Sequence, residues 1–372
     1  MTINIIRKKN ILLLMPTIQR GGIENNLIYL SNYFIKNSCK CYLLTSNISN
    51  EIKKRLNKKV NIIYSRNYLN FRFINPRYND GLNCFIKLLS LTNINQFKIL
   101  SFQNHFLSVI GALLTNKKVI IRIANHPTGS VKFFQKKIFY TFKLFIKNFI
   151  YRFADAIVCN SNESKNYFRS KKFTNNVMCI FNPLILNNKN KITTKRQNYF
   201  LTAGRLENQK NIEGIIFAFE KFLKKFPKSK LIIIGNGSLE KKLKNYVKNN
   251  NLDKKISFKN FKNPEKYLKK CKAFILNSLF EGLPNVLLEA LKYNTPIIST
   301  NCSSGPKEIL ENGKYGILTK VNDVSSLCLG MIKLHNNYEI YLKKAKNGNK
   351  SLARFEYDKQ CKKYLQLISK IK

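Results

Sequence analysis

The 372-residue sequence predicts two consecutive doubly wound α/β domains, and three observations carry that prediction. Short β-rich apolar runs alternate with longer segments of helical period. The alternation halts once, over the polar, proline-marked stretch Asn182–Asn198, which reads as a linker. It then resumes in the same rhythm. Such series build parallel sheets covered by helices, with ligands expected in a crevice facing the strand C-termini.

In the first series, Ile11–Leu14, Tyr42–Thr45, Val60–Tyr64, Ile99–Phe102, Val119–Ile123 and Ala156–Cys159 read as strands. Glu24–Ile35 and Lys132–Phe153 read as helices between them. The opening MTINIIRKKNILLLMP has an apolar segment, Ile11–Met15, too short for a secretion-signal core, and no small-residue cleavage site follows. A buried first strand is the better reading. In the second series the strands are Phe200–Ala203, Leu231–Ile234, Ile256–Phe258, Ala273–Leu276, Pro296–Thr300 and Gly316–Leu318. Near the end, RFEYDKQCKKYLQLISK has the pattern of an amphipathic helix.

Composition narrows the class. Apolar residues make up 44% of the chain, 27 of them Phe, which is enough for real cores. No apolar run approaches the roughly 18–20 residues that span a bilayer. Nine cysteines without a CxxC pair, and only three histidines, argue against zinc spacing or a disulfide framework and point to reduced cytoplasm. The formal charge of +48 invites nucleic acid or an anionic membrane. Lys, Asn and Ile are abundant together, however, as an A+T-rich coding sequence produces, and the lysines spread over the whole chain.

The turns after the strands carry the chemistry. MPTIQRGGIENN places Gly21 and Gly22 just ahead of a helix, where backbone can approach an anion; a plain turn explains the pair equally well. LTAGRLENQKN follows the first strand of the second series. Gly204 permits a sharp turn, and Arg205 and Lys210 are spaced to clamp a diphosphate. Gly235 and Gly237, in IIIGNGS, make another tight turn at the same rim. FEGLPNVLLEA then puts Glu281 on a loop, breaks it at Gly282-Leu283-Pro284, and starts a helix near Pro284. Glu289 falls about one and a half turns inside that helix. The N–H groups around Asn285 and Val286 suit a phosphate, and the two carboxylates suit sugar and ribose hydroxyls. A surface glutamate near a helix start is the plainer alternative.

Together these residues resemble the retaining GT-B glycosyltransferases of the large family 4. Glu281 and Glu289 match its E-x7-E motif, and Gly204, Arg205 and Lys210 its G-R-x4-K segment. Gly21 and Gly22 match its double-Gly loop, and Gly305–Ile309 its Gly-Pro-x-Glu-Ile segment. The order and separation also match, so the resemblance spans nearly the whole chain. It implies two Rossmann-like domains facing each other across a cleft. Residues 1–183 would bind the acceptor, residues 184–352 the nucleotide sugar, and the helix 353–372 would pack back on the N-terminal domain.

By the same resemblance, Glu281 contacts the sugar, Glu289 the ribose, and Arg205 and Lys210 neutralise the departing diphosphate. His126, in IRIANHPTG, matches a position where many relatives place a histidine near the donor sugar; His105 is a weaker candidate, and His335 reads as structural. Catalytic roles therefore fall to His126, Glu281, Arg205 and Lys210. The family needs no catalytic metal or other cofactor, and the five aspartates here form no D-x-D. The implied reaction moves a sugar, UDP-linked and leaning toward an N-acetylhexosamine, to a surface-polysaccharide or lipid-linked glycan acceptor at the inner face of the cytoplasmic membrane. A nucleotide-sugar epimerase of the same fold would need more acid/base carboxylates. A nucleic-acid-binding protein would show a basic stripe interleaved with stacking aromatics, and no specific nucleic acid is expected.

The segment VKFFQKKIFYTFKLFIKNFIYRF has Lys132, Lys136, Lys143 and Lys147 at helical spacing among Phe and Ile. Its basic face leaves peripheral contact with an anionic membrane open. A crossover helix must bury one face, so its apolar residues are expected to pack inward.

Overall fold

A computed structural model describes residues 9–19, 21–65, 68–69, 71, 75–91, 96–129, 137–173, 176–186, 196–260 and 264–371. The chain forms two compact units. The first comprises Met1–Ala124, Phe134–Pro183 and Tyr357–Lys372; the second comprises Asn125–Phe133 and Leu184–Glu356.

The strands of the first unit are β1 (Asn10–Leu14), β2 (Thr17–Ile18), β3 (Lys40–Thr45), β4 (Asn47–Ile48), β5 (Asn61–Tyr64), β6 (Phe97–Ser101), β7 (Lys118–Ile123), β8 (Ala156–Cys159) and β9 (Val177–Cys179). Seven of them form one parallel sheet in the order β5-β3-β1-β6-β7-β8-β9, and β2 pairs with β4 alone. Because strand side chains alternate between faces, each strand feeds two cores. Ile11, Leu13, Cys41, Leu43, Leu100 and Val158 pack into one. Leu12, Leu14, Leu44, Ile99, Ile121 and Ile157 pack into the other. Both faces being covered is why these strands read as continuous apolar runs.

The helix Tyr357–Lys370 helps cover the first of those faces through Cys361, Tyr364, Leu367 and Ile368. Buried polar bonds fix it. The Tyr357 hydroxyl donates to the Tyr29 carbonyl at 3.1 Å, and the Phe181 amide donates to the Gln360 side chain at 3.2 Å. Arg122, fully buried on β7, donates from Nε to the Tyr364 hydroxyl at 3.1 Å and from Nη2 to Asn182 Oδ1 at 2.6 Å. Its guanidinium also lies over the Phe102 ring. One cation thus joins the sheet, the helix and the segment that leaves the unit. A buried charge needs such satisfaction, because desolvation is otherwise uncompensated.

The second unit has β10 (Gln197–Ala203), β11 (Lys230–Ile234), β12 (Ile256–Lys259), β13 (Cys271–Leu276), β14 (Ile297–Thr300) and β15 (Ile317–Thr319), all parallel, in the order β12-β11-β10-β13-β14-β15. Phe200, Leu231, Ile233, Ala273 and Ile275 meet Ile215, Phe219 and Phe222 of the helix Ile212–Leu223 in its core. The order reverses between β10 and β13, which is the switch point where such sheets open toward ligands.

Two expectations change. The domain boundary does not follow the chain: residues 125–129 leave β7 and bond into the second unit, where Asn125 makes an antiparallel bridge with Gly282. The return to the first unit begins at Tyr357 rather than 353, because Leu352 and Phe355 are buried in the second unit and the Leu184 amide bonds the Phe355 carbonyl at 2.8 Å. The helix Lys137–Tyr151 also departs from the inward-packing expectation. Tyr151 is buried, but Phe142, Phe145, Ile146 and Phe149 are exposed. The linker's residues 187–195 and the lysines at 132 and 136 lie outside the described residues.

Among the described residues Nη1 of Arg122 has no hydrogen-bond partner as it is, so removing the Asn182 acceptor should strand a second nitrogen of the buried cation. We expect Asn182→Ala and Tyr364→Phe each to cost about 2 kcal/mol in chemical denaturation, as hydrogen bonds to buried charges do. Unchanged midpoints in both would remove this role for Arg122.

Candidate functional site

Three loops at the C-terminal ends of neighbouring strands build the site: those after β10, β11 and β13. The loop after β13 runs extended, so alternate residues point the same way. Residues 277, 279 and 281 all reach the turn Asn208–Lys210 and its C-cap Asn211. Asn277 Nδ2 donates to the Asn211 carbonyl at 3.1 Å, and the Leu279 amide donates to the Gln209 carbonyl at 2.8 Å. Lys210 Nζ meets Glu281 Oε1 at 2.5 Å. The Gln209 side chain adds a bond of 2.9 Å to the Phe280 carbonyl.

Glu281 is buried at 5% exposure, and its Oε1 also accepts from the Ser278 hydroxyl at 2.6 Å. The ion pair is therefore largely out of water, where an unpaired charge of either sign would be costly. Arg205 is exposed beside it, bonded from Nη2 to Gln209 Oε1 at 3.2 Å. His126 joins the same loop through its backbone: its amide donates to the Glu281 carbonyl at 3.0 Å, and its Nδ1 pairs with the Thr128 hydroxyl at 3.0 Å.

The glycines act differently from one another. Gly235 has φ +153°, and a Cβ there would fall 1.8 Å from the Gly204 carbonyl oxygen; one at Gly237 would fall 2.4 Å from that of Leu206. Both let the loops after β10 and β11 lie directly on each other, so their close approach is to protein backbone. Gly204 lies under the Lys210 side chain, where a Cβ would meet only ordinary contacts. The Gly282 carbonyl accepts from the Ser304 hydroxyl at 3.0 Å, beneath Gly305, whose φ is +86°.

Pro284 is the residue before the helix Asn285–Lys292, which packs on β13 and β14 through buried Leu287, Leu288 and Leu291. Leu283 is buried too, so only its backbone borders the loop, while Asn285 and Val286 are partly exposed in the first turn. Glu289 lies on the same helix, and burial pushes its carboxyl up to about 7, with Lys292 opposing and Glu265 adding to the rise. The structure thus gathers Gly204, Arg205, Lys210, Glu281 and His126 closely, with Gly282, Leu283, Asn285, Val286 and Glu289 on the continuing chain.

Gly21 and Gly22 belong to the first unit, at the start of the helix Gly22–Lys36. Gly21 is extended, so its angle admits any residue. The constraint is space, since a Cβ would fall 2.5 Å from Glu24 Oε2. Glu24, buried, escaped the sequence reading, as did Gln209 and Ser278. Ser278's position three residues before Glu281 was the available signal. His105 is a neutral imidazole bonded to Ser101 at 2.8 Å, its pKa lowered to about 3 by burial, with Lys147 and Arg122 adding to the drop. His335 stacks on Phe226. Among the described residues, no three His, Cys, Asp or Glu side chains cluster as a metal-ligand set.

Comparison with known proteins bears on the family and the fold. The Glycosyl transferases group 1 family matches residues 186–351, and Glycosyltransferase Family 4 matches residues 20–187. An uncharacterized glycosyltransferase of Methanocaldococcus jannaschii is 33% identical over 243 residues, covering 58% of this chain and 59% of that protein. The chain thus matches little more than half the length of that relative. A Campylobacter jejuni N-acetylgalactosamine-N,N'-diacetylbacillosaminyl-diphospho-undecaprenol 4-alpha-N-acetylgalactosaminyltransferase is 26% identical, covering 70% of this chain and 73% of that protein. Among solved structures, a S. aureus TarM variant in complex with fondaparinux, alpha-GlcNAc-glycerol and UDP superposes with a TM-score of 0.81 at 14% identity, covering 97% of this chain and 99% of that one. That likeness establishes the GT-B fold.

Two outcomes test the site's electrostatics. Lys210→Met strands a buried carboxylate and should destabilise the second unit by about 3 kcal/mol, while adding Glu281→Gln should recover most of the loss. A denaturation cycle with no recovery would show that the two charges are not coupled. Glu289 releases its proton near pH 7 when folded, against 4.5 unfolded. Its folded pKa is the higher one, so its contribution to stability is full below pH 4.5 and lost as pH rises to about 7. The melting temperature of the wild type should fall relative to Glu289→Gln across that window and run parallel to it above.

Proposed function

The chain belongs to the glycosyl transferases of group 1 and family 4, and from that premise we propose that it moves a sugar from a UDP-linked donor to a lipid-linked glycan acceptor, with retention of configuration and without a metal. The observation that carries the proposal is the Lys210–Glu281 pair at the switch point of the second sheet. A buried, self-neutralised pair can exchange partners. When a nucleotide sugar enters, Lys210 turns to the diphosphate and Glu281 accepts hydrogen bonds from sugar hydroxyls. Neither group is left without hydrogen-bond partners in either state, since the Ser278 hydroxyl stays on Glu281.

Arg205 and Lys210 then stabilise the charge that develops on the departing diphosphate, a task that needs cations in place before bond cleavage. This is the support for metal independence. The Glu289 carboxylate, ionising near neutral pH on the adjoining helix, suits the two ribose hydroxyls. The first-turn amides around Asn285 and Val286 face a phosphate favourably. We assign no protein nucleophile: the leaving phosphate takes the acceptor's proton on the same face of the sugar. His126, tied by its amide to the Glu281 carbonyl, is assigned to the donor sugar through the family resemblance.

Two relatives support the finer points. The C. jejuni relative is named for an acceptor carried on diphospho-undecaprenol, and the TarM variant was crystallised with UDP. Such an acceptor would place the reaction at the inner face of the cytoplasmic membrane. An epimerase or a nucleic-acid-binding protein is less well supported, since neither accounts for Arg205, Lys210, Glu281 and Glu289 as a set.

A donor-hydrolysis and transfer screen across nucleotide sugars should find turnover with a UDP-sugar that persists in excess chelator. Glu281→Ala and Lys210→Ala should each lower it roughly a hundredfold or more, as loss of a transition-state contact does. Unchanged turnover in both variants would remove the site assignment, and loss of turnover to the chelator would remove metal independence.

A further inference from the structure

The helix Lys137–Tyr151 has one apolar stripe more than the first unit uses. Tyr151 is buried in the core, its ring tilted against that of Phe168 of the helix Asn162–Ser170. Away from it, Phe142, Phe145, Ile146, Phe149 and Phe153 recur at intervals of three and four. They stand in solvent, with Phe142 at 63%, Phe145 at 69% and Phe149 at 50% exposure. Single exposed apolar residues are ordinary, whereas an aligned row of aromatics marks a contact surface. Beside it lies a groove of about 290 Å³ lined by Phe145, Phe149, Arg152, Tyr167, Lys171 and Phe173.

Charge indicates the occupant. From residue 81 to residue 154 the sequence holds eleven Lys and Arg and no Asp or Glu; Arg122 is buried and Lys98 is bonded to the Ile368 carbonyl, and no acidic residue of that stretch offsets the rest. Arg152 and Lys171 line the groove itself and Lys143 follows Phe142 in the sequence, while Lys147 reaches inward over the Tyr151 ring. A second copy of the chain meeting this face about a two-fold axis would set the same basic surface against itself, which is repulsive. An anionic lipid surface satisfies both parts at once: phenylalanines enter the acyl boundary while lysine and arginine heads stay among the phosphates.

We propose that the exposed face of Lys137–Tyr151, continued by Arg152 and Phe153, docks the first unit onto an anionic bilayer by shallow insertion of Phe142, Phe145 and Phe149. This deepens the lipid-linked acceptor reading above by naming the surface that would meet the membrane. Among the described residues no helix is long and apolar enough to cross one.

The chain has no tryptophan, so a single introduced one reports its own surroundings. Phe145→Trp should shift its emission to shorter wavelength and be quenched by brominated phosphatidylcholine in vesicles of phosphatidylcholine and phosphatidylglycerol. Leu329→Trp, on the exposed face of the helix Val324–Asn336 in the second unit, should not be. The double variant Phe145→Ser, Phe149→Ser should retain its fold and lose salt-resistant sedimentation with those vesicles by roughly tenfold or more. Equal quenching at both tryptophans, or at neither, overturns the proposal in favour of diffuse adsorption through net charge. A Phe145→Trp shift that needs no vesicle and grows with protein concentration overturns it in favour of self-association. Neither donor nor acceptor is present in these measurements, so their failure leaves the transfer reaction to its own test.

Discussion

The ion pair between Lys210 and Glu281 organises the second unit's working edge. Glu281 holds the lysine through its side chain and the segment carrying His126 through its carbonyl. The residues that alternate with it, Asn277 and Leu279, fasten the same extended loop to the turn ending at Lys210. A pair removed from water to this degree adds little net stability over an apolar contact of the same shape, because desolvation offsets most of the attraction. Its value is positional. It sets the loop after β13 against the loop after β10 at the one place where the sheet order reverses.

That arrangement depends on backbone as much as on side chains. The loops after β10 and β11 touch through Gly204, Leu206, Gly235 and Gly237, with no room for a methyl group at either of the last two. The Glu207 carboxylate closes the contact by accepting from both the amide and the hydroxyl of Ser238, at 2.9 and 2.7 Å. The consequence is a rigid rim on which Arg205 and Lys210 stand. Preorganised cations act on a developing charge without the reorganisation that a mobile loop would require.

Much of this was legible in the sequence. Strands buried on both faces announce themselves as apolar runs, which is why Ile11–Leu14 and Ala156–Cys159 were placed within a residue or so of the observed elements. Pro284 marked the helix start to within one residue. Spacing identified Glu281, Glu289, Arg205 and Lys210, but it could not reveal that Glu281 and Lys210 bond each other, since that contact closes over 71 intervening positions. Gly235 and Gly237 were read as a tight turn at the ligand rim; that the Gly204 and Leu206 backbone lies opposite was not legible, because a glycine turn looks the same whatever it faces. The short pair β2 and β4 was missed for want of any periodicity over two residues. The outward phenylalanines of Lys137–Tyr151 were missed for the opposite reason: an apolar stripe reads as core until its neighbours are known.

The return of Tyr357–Lys370 to the first unit also bears on how the protein is made. Arg122 emerges early from a ribosome, yet the hydroxyl that satisfies its Nε belongs to Tyr364, 242 positions later. Throughout that interval the first sheet lacks the cover that Cys361, Tyr364, Leu367 and Ile368 provide. The intervening second unit has all of its strands by residue 319 and draws on nothing synthesised after Glu356. Synthesis from the amino end therefore completes the later unit first. The earlier one stays only partly covered on one face, by the helix Gly22–Lys36, until Tyr357–Lys370 arrives, which makes nascent chains stalled in that interval natural clients for a holding chaperone.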